Sequence, residues 1–247
     1  MGMRTALAAL LLTGAAAWSQ EGPAPWDIPT PPGHFLRVQD FEVPRLLPAP
    51  PPPGSLAEMA DLETLVQTQA WRSPEAEAWA RIVEHDTVWK FDTVLGSWFA
   101  AERLPHTARF FWKLTVDVHA ISEAAKVLHA RPRPPKRDVR LNPCVPLPPN
   151  DSYPSGHSLQ AFVRAGVLAE IFPEHREALL ARAHRAAWAR ILGGVHYPTD
   201  DVAGRLLAEA IVQRLKTQKR FRQAVAACRD EADRIQRTLP PPYSRTK

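Results

Sequence analysis

Cysteine is scarce in this chain: Cys144 and Cys228 are the two among 247 residues. That excludes a disulfide-built scaffold. The pair either closes one bridge around a long loop or stays as two buried thiols, and the sequence leaves both readings open. No stretch approaches the roughly 20 apolar residues that a membrane-spanning helix needs, so no stable membrane insertion is expected. No segment alternates convincingly between apolar and polar residues, which removes strands from the expectation. No aromatic residues interleave with the basic run from Arg131 to Arg140, and acidic residues are spread through the chain. A net charge of +5 therefore does not carry a nucleic-acid reading. No Cys, His and carboxylate grouping offers a convincing metal site. No internal repeat is visible.

What is present is helical periodicity punctuated by proline. With 45% hydrophobic residues the chain can bury one sizeable core, and we expect an all-α, single-domain helical bundle. Arg4, the run Ala6–Leu12 and the small residues Ala15–Ser19 have the layout of a secretory signal peptide over residues 1–19, which implies a periplasmic or secreted protein. Residues 20–55 are rich in proline and end in Pro50-Pro51-Pro52-Pro53-Gly54. They are expected to form an extended arm on the surface or on a neighbouring subunit. The helical domain should occupy 56–239, and 240–247 should be a flexible tail. Ser73-Pro74-Glu75 reads as an N-cap with proline at the first helical position. Helices are expected over about 75–103, 106–130, 157–171, 174–192, 198–216 and 218–237. Trp89, Trp98, Phe99, Phe110, Phe111 and Trp112 are expected to be packing residues.

Three polar clusters stand out. Lys126 and Arg133-Pro134 lie in the first, Pro154-Ser155-Gly156-His157 forms the second, and Arg190, His196 and Asp200 lie in the third. Together they supply cations, a hydroxyl, a glycine backbone and two imidazoles, an inventory suited to holding a tetrahedral oxyanion. Neutral His196 is a good nucleophile, and Asp200, four residues on, would accept its other N–H and set the tautomer. Because Pro198 follows the histidine, Asp200 should lie in the first turn of a helix, where a carboxylate is favoured. Asp201 reads as helix N-terminal charge alone. Pro154-Ser155-Gly156-His157 reads as a loop entering a helix, with backbone N–H groups near Gly156 and the Ser155 hydroxyl facing an anion. Lys126, Arg133 and Arg190 would neutralise charge on the equatorial oxygens.

In order and internal spacing these clusters resemble the signature of the PAP2 superfamily and, within it, the bacterial class A non-specific acid phosphatases. The resemblance runs from Pro105 to Leu215, with one departure: Ala189 stands where the family usually has serine. It implies that His196 takes the phosphoryl group as a phosphohistidine and that His157 protonates the leaving alkoxide. It assigns Lys126, Arg133, Ser155, Gly156 and Arg190 to phosphate binding. It also implies small-molecule phosphate esters as substrates, no metal, no other cofactor and a homo-oligomer. Arg131 stands too close to Lys126 for the pattern and is assigned to solvent or partner contacts. His85, His106, His119, His129, His175 and His184 are read as surface or packing residues, with His129 the one that would support the site from behind. Two alternatives carry the same cage: a vanadium-dependent haloperoxidase-like enzyme, and a lipid phosphate phosphatase, against which the lack of membrane helices argues.

Overall fold

The computed structural model describes residues 33–239. The expected signal peptide, residues 20–32 of the arm and the tail 240–247 lie outside the described residues. Within them the fold is all-α: α1 (Val43–Leu46), α2 (Leu56–Trp71), α3 (Pro74–Glu84), α4 (Asp92–Leu95), α5 (Pro105–His129), α6 (Gly156–Ile171), α7 (Arg176–Leu192), α8 (Pro198–Lys216) and α9 (Lys219–Thr238). Proline at the first turn opens α3, α5 and α8, where its missing N–H costs no hydrogen bond. Ser55 caps α2 and Ser73 caps α3, each accepting the N–H three residues on.

Helix α6 is the centre of the bundle. It packs on α7 and α8 most extensively, then on α5 and α9. Its buried residues, among them Leu159, Phe162, Val163, Val167, Leu168 and Ile171, lie all around its circumference. Such a helix has no solvent face and must be enclosed by neighbours. Glu231 of α9 accepts the His106 and Thr107 backbone N–H groups at 2.8 and 2.9 Å, closing the free end of α5.

Four expectations are corrected. The described part of the arm does not lie on the surface: Phe35, Leu36, Val38, Phe41, Val43 and Leu47 join the main core. Asp117 of α5 pins this segment by accepting the N–H groups of His34, Phe35 and Leu36. The prolines prevent a long helix, but the apolar residues between them still find a core to enter. The single helix expected over 75–103 is broken. α3 stops at Glu84, a 3-10 turn spans Val88–Phe91, and α4 ends at Gly96, whose φ of 96° is closed to other residues without strain. Helix α2, whose Ser55-x-x-Glu58 opening is a capping pattern, was not among the expected helices. Of the aromatic residues, Trp98, Phe99, Phe110 and Phe111 are buried and Trp89 packs against the core, whereas Trp112 is exposed.

Candidate active site

Two local devices bring the polar clusters together. After α7 the chain turns through Gly193 and Gly194. Gly194 has φ 76°, and a Cβ there would come 3.3 Å from the Pro143 Cα, so a glycine is required on both conformational and steric grounds. The turn delivers His196 just before α8 starts at Pro198. At Gly204 of α8, a Cβ would come 2.6 Å from the Ser155 carbonyl oxygen. That absence of side chain lets α8 press on the start of α6, where the Ser155 N–H donates to the Asp200 carbonyl at 3.0 Å.

Behind His196 the charged groups are paired within the fold. Its Nδ1 lies 3.1 Å from Asp200 Oδ2, and its Nε2 lies 3.1 Å from Arg133 Nη1. Because guanidinium only donates and carboxylate only accepts, Nδ1 carries the proton and Nε2 keeps its lone pair. Asp200, fully buried in the first turn of α8, also accepts from Ser152 Oγ, the Tyr197 N–H and Arg131 Nη1. Burial pushes its carboxyl pKa up, while Arg131, Ser152 and Tyr197 pull it down. Arg131 in turn donates to Asp61 Oδ2 of α2 at 2.9 Å and lies over the Tyr197 ring at 3.6 Å. Thr199 adds its N–H and hydroxyl to Asp61.

In front of His196 lies a cleft of about 290 Å³ whose walls include Ser122, Lys126, Arg133, Gly156, His157 and His196. Thr115, His119, Glu123, Asn150 and Gln160 also line it. Lys126 Nζ is held by the carbonyl oxygens of Asp151 at 2.6 Å and Pro154 at 2.9 Å. Burial and the nearby Arg133 charge bring its pKa down to about 8. Arg133 is anchored to Asn150 and to the Val195 carbonyl, with burial bringing it down to about 10. Arg190 differs from both. It is 1% exposed, and none of its three guanidinium nitrogens has a hydrogen-bond partner. Its charge reaches His157, His196 and Arg133.

Both imidazoles are consequently hard to protonate. Burial, then Arg133, Lys126 and Arg190, hold His196 well below the ordinary histidine range. Burial and Arg190 bring His157 down to about 3, against an opposing hydrogen bond in which its Nε2–H donates to the Glu84 carbonyl at 3.2 Å. The break after α3 is what leaves that carbonyl free. It also exposes Asp86 to Arg182 and Arg164, which fix the wall of the cleft.

The fold thus gathers Lys126, Arg133, Gly156, His157 and His196 on one cleft, with Arg190 beside them and Asp200 behind. Ser155 is placed at the N-cap of α6, where its Oγ accepts the Ser158 N–H. Asp201 is half-buried, burial raising its pKa, and its Oδ1 has no partner. The reading of Arg131 is corrected: it is not a solvent or partner contact but the buried cation that holds Asp200. Its partners lie 69 and 70 positions away in sequence, which no local spacing rule detects. Asp61, Ser152, Ser122 and His119 were likewise not singled out for the site. His129 packs edge-on to Tyr153, 4.8 Å between ring centroids. Cys144 and Cys228 are free thiols. Cys228 is buried in α9, where burial pushes its pKa up to about 12. Among the described residues no three His, Cys, Asp or Glu side chains are grouped to hold a metal ion, and no helix is long and apolar enough to cross a membrane.

The cleft thus joins two imidazoles to Lys126 and Arg133 among the helix starts of an all-α bundle. Residues 110–223 match the PAP2 superfamily, and this segment is a PAP2 superfamily domain. The chain is 29% identical over 198 residues to a non-specific acid phosphatase of Salmonella typhimurium, covering 74% of this chain and 77% of that protein. It is 32% identical over 91 residues to a non-specific acid phosphatase of Providencia stuartii, covering 37% of each. Among solved structures, the transmembrane PAP2 type phosphatidylglycerolphosphate phosphatase from Bacillus subtilis aligns with a TM-score of 0.48 at 18% identity. That alignment covers 75% of this chain and 91% of that one.

Proposed function

We propose that this protein is a phosphoric monoester hydrolase that works through a phosphohistidine at His196, without a metal ion, and that it acts after export. The observation that carries the reading is the contrast at the cleft. His196 Nε2 keeps its lone pair next to Arg133, while the buried Arg190 guanidinium has no protein partner. Burying an unpaired cation is costly, and a phosphoryl dianion supplies the missing charge and acceptors. The acid phosphatases that align over most of this chain support the same reading.

In the proposed reaction, His196 Nε2 attacks phosphorus in line with the ester oxygen. The N–P bond forms as the P–O bond to the alcohol breaks, and the Nδ1 proton stays on the His196 ring, hydrogen-bonded to Asp200, throughout. His157 delivers a proton to the departing alkoxide. A pKa of about 3 leaves it neutral, but a bound dianion offsets the Arg190 charge and raises its proton affinity. The second proton resides on Nδ1, because Nε2–H is held by the Glu84 carbonyl. Water then attacks the phosphohistidine, giving its proton back to His157 and releasing phosphate. Lys126, Arg133 and Arg190 stabilise charge on the equatorial oxygens, the task a divalent ion performs elsewhere.

The test is to trap the intermediate. Purified protein is mixed with ³²P-labelled phenyl phosphate and denatured rapidly at alkaline pH, which preserves a phosphoramidate. Label should appear on wild type and be absent from His196→Ala, which should also lose turnover. Undiminished labelling of the variant overturns the assignment.

A further inference from the structure

We propose that Ser122 is a further catalytic residue of this site, donating its hydroxyl to an oxygen of the bound phosphoryl group; the proposal rests on the phosphatase reading above. Ser122 lies on α5 four residues before Lys126, so the two share a face of that helix. It is 2% exposed, and its Oγ has no hydrogen-bond partner in the protein. A serine inside a helix ordinarily turns its hydroxyl onto the carbonyl one turn back, and this one does not. It lines the same cleft as His157 and His196.

Its neighbour across the cleft wall is the first residue of α6. A Cβ added at Gly156 would come 3.1 Å from Ser122 Oγ and 3.9 Å from the Lys126 Cε. The hydroxyl therefore sits between the lysine and a helix N-terminus, where backbone N–H groups already favour an anion. The other donors at this wall are occupied: Lys126 by loop carbonyls and Arg133 by Asn150 and Val195. Of the side chains lining the cleft, Ser122 Oγ and Arg164 Nε have no hydrogen-bond partner, and Arg190 beside it has none on any of its three nitrogens. A buried hydroxyl without a partner lowers stability unless a ligand engages it, which is the pattern of a residue kept for binding. As a neutral donor, Ser122 adds a hydrogen bond without adding a fourth cation to a site already crowded with positive charge.

The experiment compares wild type with Ser122→Ala, the smallest change that removes the donor. We measure kcat/KM for p-nitrophenyl phosphate, the inhibition constant of orthovanadate and the melting temperature. A hydrogen bond to a charged group predicts that kcat/KM falls about 10- to 100-fold and that vanadate inhibition weakens by a similar factor. The melting temperature should stay the same or rise, because alanine leaves no hydroxyl unsatisfied and is the better helix former. Wild-type kcat/KM and vanadate inhibition in the variant overturn the proposal. So does a lowered melting temperature with unchanged vanadate inhibition, which would make Ser122 a structural residue. To separate the two readings, vanadate binding is also followed by calorimetry. Binding that weakens in Ser122→Ala, by a wild type that hydrolyses no ester, keeps Ser122 in the oxyanion site and overturns the phosphatase reading instead. A wild type that neither hydrolyses nor binds overturns both.

Discussion

Arg131 and Arg190 are both buried, at 5% and 1% exposure, and both belong to the same site. The regions they occupy are opposites. Behind His196, Arg131 is clamped between Asp61 and Asp200, with Thr199 accepting a further hydrogen bond at 2.7 Å. In front of it, Arg190 has no partner on any guanidinium nitrogen. The first region has its charges balanced within the fold, so it holds Asp200 and through it the His196 ring in one orientation. The second is left unbalanced, so under the proposed function an anion would be stabilised on arrival with little rearrangement of the surrounding dipoles. Residues of one type and similar burial thus differ in whether the fold itself supplies their partners.

Paired substitutions test that division most strongly. Arg131→Met leaves two buried carboxylates facing each other and should cost about 3–5 kcal/mol of stability, read by urea denaturation. Arg190→Met removes no hydrogen bond and relieves an uncompensated charge, so its stability should be unchanged or greater. Its kcat/KM should nevertheless fall by about 10²–10³, as for loss of a donor aimed at the transition state. If Arg190→Met is the less stable of the two, the cleft is not the unbalanced region described here.

The pH dependence sharpens the same contrast. In the free enzyme Lys126 loses its proton near pH 8, against an ordinary value of 10.5, so the cleft loses a positive charge across that window. Because kcat/KM reports the free enzyme, it should decline above about pH 8. A Lys126→Met enzyme, slower throughout, should lack that decline. Stability runs the other way. Between about 8 and 10.5 the unfolded chain holds a proton that the native site has released, so this group's contribution becomes more favourable as pH rises. On the acid side the depressed His196 keeps its lone pair, and kcat/KM should show no loss on crossing pH 6.5 from this group. A fall centred there would mean that the cations do not act on the nucleophile.

The smallest expected effect tests how the nucleophile is delivered. Gly194→Ala must hold a left-handed backbone and press a methyl group toward Pro143, at a cost of about 1–2 kcal/mol for the conformation. Thermal denaturation measures the loss, and kcat should drop with it because the turn sets the position of His196. A variant as stable and active as wild type would show that the turn can be made in another way.

Much of this protein was written in short-range pattern. Proline at the first turn of α3, α5 and α8, and a His196–Asp200 spacing that spans one helical opening, act within a few residues and are legible without a fold. So is the convergence of Lys126, Arg133, His157, Arg190 and His196, because their spacing resembles a known signature. Tertiary structure alone decided what surrounds them. It placed Asp61 and Arg131 behind Asp200, put Ser122 against Gly156, broke the helix after Glu84 to free a carbonyl for His157, and drew residues 35–47 into the core. Each of these depends on which helices pack together. A contact between residues 70 positions apart leaves no periodicity in the chain, and the unpaired state of a buried guanidinium is a property of its neighbours rather than of the arginine.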